Sequence, residues 1–334
     1  MNQHTTQRPL LLPLVPLYRL ALAARELRLG TPLEPVRRLH SPVASIGNLS
    51  TGGAGKTPLA IALAHALQQR GFAVDVLSRG YGRSGQSAAR VQPNGSAEEF
   101  GDEPLLIAQA GVPVYVARQR YEAGLLAEAE AAARPRVHLL DDGFQHRQLH
   151  RDADIVLLDR EDWSGRLLPA GNLREPRSAI RRASVLAIPA DAPALEADLR
   201  AWGWIGPIWP VRRAMELPAV DGPVAAFCGI ARPAQFFAGL EAAGARIAAR
   251  FAFRDHHRYT RDDLKRIADA ALGAGATALL TTEKDRVRLG ELAAAIPGSL
   301  PLKTVRLRVE VENAAIEWLA ERLRSADLSR FGNS

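Results

Sequence analysis

The residues with the most chemistry to offer lie in the run Ser50-Thr51-Gly52-Gly53-Ala54-Gly55-Lys56-Thr57. Glycines let backbone N–H groups converge on an anion without side-chain clash, a following helix adds its partial positive charge, Lys56 reaches β- and γ-phosphates, and Thr57 can ligate Mg²⁺. The flanks suit that reading: an apolar run from Val43 to Leu49 precedes the loop, and Ile61, Leu63, Ala64 and Leu67 follow it at helical spacing, with Pro58 tolerated in the first turn. A strict phosphate loop carries Gly where this chain has Ser50, and Gly52-Gly53 restores the flexibility one step later. Thr51, Gly52, Gly53, Ala54, Gly55, Lys56 and Thr57 are therefore expected around a nucleoside triphosphate.

Further polar groups fall at the ends of apolar runs, where parallel sheets present loops to ligands. Val137 to Leu140 leads into Asp141-Asp142-Gly143-Phe144-Gln145-His146, a buried strand carrying acidic groups to the edge where Mg²⁺ bridges phosphates. In Leu173-Arg174-Glu175-Pro176, Glu175 can reach a metal and Arg174 a phosphate; the bland alternative is a plain surface pair, which would contribute little. Arg79-Gly80-Tyr81-Gly82-Arg83 follows the apolar run Phe72 to Leu77 and can face phosphates or serve as a flexible turn. Gly101-Asp102-Glu103-Pro104 starts a helix, with Asp102 as cap. Facing a γ-phosphate, the same carboxylate would accept a proton from an attacking hydroxyl. Asp255-His256-His257 precedes a helix capped by Thr260 and can orient a base or stabilise transferred phosphate. Thr281-Thr282-Glu283-Lys284-Asp285 reads equally as a polar helix start.

These loops need a frame, and the chain alternates strand and helix signals almost throughout, an α/β pattern. With 334 residues the chain suggests two domains. The stretch from Ala190 to Pro223, rich in Pro, Gly and Trp, is the candidate junction, its tryptophans expected in a core or seam. A second alternation follows: strands at Val224 to Cys228, Ile247 to Phe253, Thr277 to Leu280 and Leu302 to Val311, with helices between and after them.

Forty-three Lys and Arg against 36 Asp and Glu give a net charge of +7, which favours anionic partners. No basic platform interleaved with aromatics argues for nucleic acid. One cysteine, Cys228, excludes an internal disulfide framework and any multi-cysteine zinc site. The apolar stretch Leu10 to Ala24 is broken by Pro13, Pro16 and Arg19, too short to span a bilayer and unlike a secretory signal. Leu17, Leu20, Ala24 and Leu27 share a helical face, with Arg25, Arg28, Arg37 and Arg38 following. A helix lying in a membrane interface fits that pattern, as does a helix docked on the protein's own core.

Taken together, Gly47-Asn48, Thr51 to Pro58, Arg79 to Gly82, Gly101 to Pro104, Asp141 to His146, Leu173 to Pro176, Phe227 to Ile230, Asp255-His256 and Thr282 to Asp285 resemble the tetraacyldisaccharide 4'-kinases of lipid A biosynthesis. The resemblance implies transfer of the ATP γ-phosphoryl group to the 4'-hydroxyl of a tetraacyl glucosamine disaccharide 1-phosphate, at the cytoplasmic face of the bacterial inner membrane. It implies two α/β/α domains facing across a cleft: a P-loop parallel sheet over 31–215 and a smaller Rossmann-like domain over 216–334, with a membrane-interface helix in 1–30. Lys56 and Thr57 would serve ATP and Mg²⁺, and Asp141, Asp142 and Glu175 would surround the metal. Asp102 with His256 would form the acceptor-activating pair. Arg79, Tyr81, Gln145, His146 and Arg174 would face phosphate or substrate. A rival class is the membrane-attached P-loop ATPase acting as a nucleotide switch; its signature Lys before Gly-Gly is replaced here by Thr51. Oligomeric state is left open by the sequence.

Overall fold

The computed structural model describes residues 8–53 and 55–331; Ala54, one of the residues expected in the phosphate cradle, lies outside them. Twelve strands are described: β1 Val43–Asn48, β2 Ala73–Ser78, β3 Ala89–Arg90, β4 Val114–Val116, β5 Arg136–Asp141, β6 Ala153–Leu157, β7 Val185–Pro189, β8 Ile208–Glu216, β9 Val224–Cys228, β10 Ile247–Ala252, β11 Ala278–Thr282 and β12 Leu302–Val311. They form one sheet in the order β10-β9-β11-β12-β8-β7-β6-β1-β5-β2-β4-β3. Only β3–β4 and β8–β12 pair antiparallel. The α/β expectation is met by this large, mostly parallel sheet.

The central strands are buried on both faces, as parallel sheets require, and β1 is buried at every position. Helix Lys56–Gln69 lies against the sheet through Leu59, Leu63 and Leu67, a spacing of four that puts all three on one face. Each buried leucine contributes about 1.5–3 kcal/mol. Trp209 is buried and meets Trp318 of helix Asn313–Phe331 edge to face, with ring centroids 5.7 Å apart. The tryptophan-rich stretch thus packs core, and it also contains helix Pro193–Ala201 and strand β8, which the Pro and Gly content concealed.

Strand β12 explains why a cleft forms. Its first half, Leu302 to Val305, pairs parallel with β11, and its second half, Arg306 to Val311, pairs antiparallel with β8. Thr282 at the end of β11 sits beside Val305, and Glu216 at the end of β8 sits beside Arg306. The carboxyl ends of the two parallel sets therefore approach each other over the midpoint of one strand. Loops from both sets must then face a common space, as the rule for open α/β sheets anticipates.

Candidate active site

A cleft of about 1320 Å³ fills that space. Thr51, Gly52, Gly53, Gly55, Lys56 and Thr57 follow β1 into it; Arg79 and Tyr81 follow β2; Asp141, Asp142, Gln145 and His146 follow β5. From the other set come Ala231 and Arg232 after β9, His256 after β10 and Lys284 after β11. Sequence reasoning thus brought together residues that the fold also brings together.

The phosphate loop has the required backbone. Gly52 (φ 117°) and Gly55 (φ 82°) adopt left-handed conformations that other residues disfavour, and Gly55 caps the helix beginning at Lys56. Lys56 donates to Asn48 Oδ1 (3.0 Å) and lies 3.4 Å from Asp142 Oδ1. Arg174 grips both oxygens of Asp142 (2.9 and 2.8 Å) and also reaches Asn48 Oδ1 (2.7 Å). Gln145 donates to the Asn48 carbonyl (3.0 Å). Asn48, fully buried at the end of β1, is the hub of this network. Its signal in the sequence was an amide at the end of an otherwise apolar strand.

The adjacent aspartates have opposite surroundings. Burial works against charge on Asp142, but Lys56, Arg174 and Arg120 outweigh it and hold the carboxyl well below the usual range. Asp141 is 1% exposed, and neither carboxylate oxygen has a hydrogen-bond partner among the described residues. Burial, then the charges of Glu103 and Asp142, push it up to about 7. An orphaned carboxylate that shares a cleft with the buried Thr57 and a phosphate cradle fits a hard cation. Among the described residues no group of three His, Cys, Asp or Glu side chains is arranged to hold a metal by itself. A cation bound by one or two protein oxygens and otherwise by phosphates and water needs no such cage.

Glu175 is not brought to Asp141. It pairs with Arg182 (2.5 Å) and lines a second cavity with Arg19, Arg25 and Arg147, because the loop that sends Arg174 toward Asp142 turns the next side chain away. His146 does reach the main cleft, where burial followed by the positive charges of Arg120, Arg151, Arg25 and Arg79 pushes it down to about 3. A neutral imidazole among arginines marks an electropositive wall suited to an anionic substrate.

From the other strand set, His256 Nδ1 comes 3.1 Å from Asp102 Oδ2 at the start of helix Asp102–Gln109. The Asp102 bond raises the His256 pKa above its ordinary value despite partial burial. Burial opposes charge on Asp102, but His256, Arg288 and Lys284 together hold it far below the usual carboxylate range. Tyr81 lays its ring near His256, with centroids 5.4 Å apart. Lys284 bonds Glu103 across the cleft, and Arg288 bonds Asp102. Sequence reading treated the Lys284 motif as a possible helix start, which it is, and passed over Arg288. The available signal was spacing: Lys284 and Arg288 stand four apart and share one helix face.

Fold and site define a P-loop ATP-dependent phosphotransferase. A family model described as tetraacyldisaccharide-1-P 4'-kinase matches residues 7–324. The tetraacyldisaccharide 4'-kinase of Koribacter versatilis is 42% identical over 314 residues, covering 90% of this chain and 94% of the relative. That of Rhodopseudomonas palustris is 39% identical over 333 residues, covering 96% and 95%. A crystal structure of LpxK from Aquifex aeolicus, described as an apo form in complex with ATP, superimposes with a TM-score of 0.72 at 33% identity, covering 94% of this chain and 98% of that one. The chain belongs to the tetraacyldisaccharide-1-P 4'-kinase family, and its activity is the ATP-dependent phosphorylation that defines the family within lipid A biosynthesis.

Proposed function

We propose that the cleft binds Mg²⁺-ATP on the β1 loop and presents the 4'-hydroxyl of a tetraacyldisaccharide 1-phosphate to the Asp102–His256 pair. The observation that supports this is the 3.1 Å contact between Asp102, from the strand set that carries Lys56 and Asp141, and His256, which lines the same cleft as Lys56 and Asp141 from the other set. Thr57 and Asp141 would hold Mg²⁺, with Asp142 oriented beside them by Lys56 and Arg174. The ion would neutralise charge shared between β- and γ-phosphates.

In the transfer, the 4'-oxygen bonds to the γ-phosphorus, the bridging β–γ oxygen leaves on ADP, and the hydroxyl proton passes to the Asp102–His256 pair. Phosphoryl transfer proceeds through a loose transition state, so alignment and charge stabilisation matter more than base strength. Lys56 releases Asn48 and Asp142 as phosphate oxygens replace them. Arg79, Tyr81, Gln145 and His146 line the route of the sugar, and Arg174 organises the strand ends behind it.

The segments before and after the β8–β12 junction act in this reading as two lobes, roughly 31–215 and 216–334 as the sequence suggested, closing on the substrates. The N-terminal helix rests on an anionic membrane at its cytoplasmic face. Helix Val15–Arg28 has no buried residue, and Leu17, Leu20 and Leu27 expose 69%, 70% and 80% of their surface. No helix among the described residues is long and apolar enough to cross a membrane, so the contact is interfacial. Tyr18 and Arg25 turn inward to Arg174 and Gln145, tying that helix to the site.

The test is an assay with γ-labelled ATP, Mg²⁺ and tetraacyldisaccharide 1-phosphate in mixed micelles. Label in the lipid, lost with Asp102→Asn and on chelation of Mg²⁺, supports the assignment. ATP hydrolysis indifferent to the lipid would support a nucleotide switch instead.

A further inference from the structure

Behind the Asp102–His256 pair lies a chain of buried polar groups with no assigned part in the reaction. Asp285 is fully buried and accepts hydrogen bonds from the Gly229 N–H (3.0 Å), the Tyr259 hydroxyl (3.0 Å), Thr282 Oγ1 (2.6 Å) and Arg288 Nη1 (3.0 Å). Held this way, Arg288 directs Nε (2.6 Å) and Nη2 (2.5 Å) at Asp102 Oδ2. Its Nη1 also bonds the Gly229 carbonyl, which accepts the backbone N–H of His256 as well (3.1 Å). Gly229 is thus the point where Arg288, Asp285 and His256 meet. A Cβ there would stand 3.1–3.2 Å from His257, Arg254 and Asp285, so a larger residue would require these neighbours to give by a few tenths of an ångström.

We infer that Arg288 is a positioning residue for phosphoryl transfer: its fork, braced by Asp285, fixes the Asp102 carboxylate so that Oδ2 faces His256 and Oδ1 is left for the acceptor hydroxyl. This rests on the role of Asp102 and His256 proposed above. Oδ1 accepts the Glu103 N–H (2.9 Å) and no other hydrogen bond among the described contacts, which leaves it a further lone pair for an acceptor hydroxyl. Two nitrogens of one planar group converge on the single oxygen Oδ2 and fix its position, which a point charge does not.

The same cation governs when the pair can take a proton. His256 faces Asp102 and Asp255, which favour its charged form, and Arg288, which opposes it; Tyr81 adds only its ring. Lys284 also faces Asp102. With Arg288 removed, His256 loses the opposing charge and holds its proton to higher pH. The competent, unprotonated pair then appears later in a titration.

The experiment is the pH profile of kcat and KM for full-length wild type, Arg288→Gln, Arg288→Lys and Asp102→Asn, with ATP and tetraacyldisaccharide 1-phosphate. For Arg288→Gln, kcat at pH 7 falls ~10²-fold while the KM for ATP stays within ~3-fold, because the loss is of alignment in the transition state. Its acid limb moves to higher pH. Arg288→Lys keeps the charge but not the fork, so its limb stays at the wild-type position while kcat remains reduced. A uniform loss at every pH in Arg288→Gln, or wild-type kcat in Arg288→Lys, overturns the inference. Should Arg288→Gln not fold, as judged by its melting curve, the Arg288→Lys arm decides. Wild-type turnover in Asp102→Asn would instead overturn the reading beneath it.

Discussion

His256 Nδ1 meets Asp102 Oδ2 at 3.1 Å although the two residues are 154 positions apart. Asp102 begins a helix after the β3 loop, and His256 follows β10 at the far edge of the sheet. Their contact exists because β12 is shared between the two parallel sets. His256 (φ 57°) and Asp142 (φ 50°) are also the non-glycine residues in the left-handed region among those described. Such conformations cost about 1–3 kcal/mol each and persist where the surroundings enforce them. Here those surroundings are the Gly229 carbonyl for His256, and Lys56 with Arg174 for Asp142.

Asp141 is a buried carboxylate whose oxygens have no hydrogen-bond partner among the described residues, and under the proposed function it would hold Mg²⁺. Asp141→Asn is expected to raise the stability of the nucleotide-free protein by ~1–2 kcal/mol. If Asp141 holds Mg²⁺ as proposed, turnover should drop ~10²-fold or more. Calorimetry without nucleotide and steady-state kinetics measure the two effects. A destabilised, active variant would mean that the carboxylate has a structural partner instead.

Glu128 offers a control remote from the cleft. Its carboxylate accepts from the backbone N–H of Ser41 (2.6 Å) and His40 (3.3 Å) and contacts His138 Nε2 (3.4 Å). Burial opposes its charge, but the bonds from His138, Ser41 and His40 bring it down to about 2 from 4.5. A carboxylate depressed in the folded state stabilises above the unfolded pKa, and that contribution disappears as pH falls through the folded value. Glu128→Gln should cost ~1 kcal/mol at pH 7. The gap to wild type should narrow between pH 4.5 and about 2 in urea titrations, with kcat unchanged.

The outward leucines of the N-terminal helix can be changed without touching the fold. Leu17→Glu with Leu20→Glu should leave the melting temperature nearly unchanged, since exposed positions shift stability by only ~0.5 kcal/mol. Sedimentation with anionic vesicles should fall several-fold. Undiminished sedimentation would assign the helix to the protein's own packing and place lipid contact elsewhere.

Much of this site was legible because its chemistry demands rare residue combinations at strand ends. Lys56 and Thr57 announce themselves through neighbouring glycines, and Asp141-Asp142 through the apolar run before them. Strands β9 and β12 were read to the residue. Glu175 shows the limit: its acidity suggested a metal, but a neighbour's direction is decided by the turn, and Arg182 seven positions on satisfies it. Arg288 and the Lys284–Glu103 pair depend on contacts across β12, which no local pattern encodes. Strand β8 was hidden by Pro207, Pro210 and its tryptophan, since its length is sustained by pairing with β7 and β12 and not by its own composition.

The central claim, that Asp102 and His256 act as one unit on the acceptor hydroxyl, is tested most directly by a double-mutant cycle. Single-turnover rates would be measured for wild type, Asp102→Ala, His256→Ala and the double variant at saturating ATP and lipid. The account predicts strong non-additivity: each single change costs roughly 10²–10⁴-fold, as loss of a general base does, and the second change adds little. Losses that multiply across the cycle would show that the two side chains act independently and would contradict it.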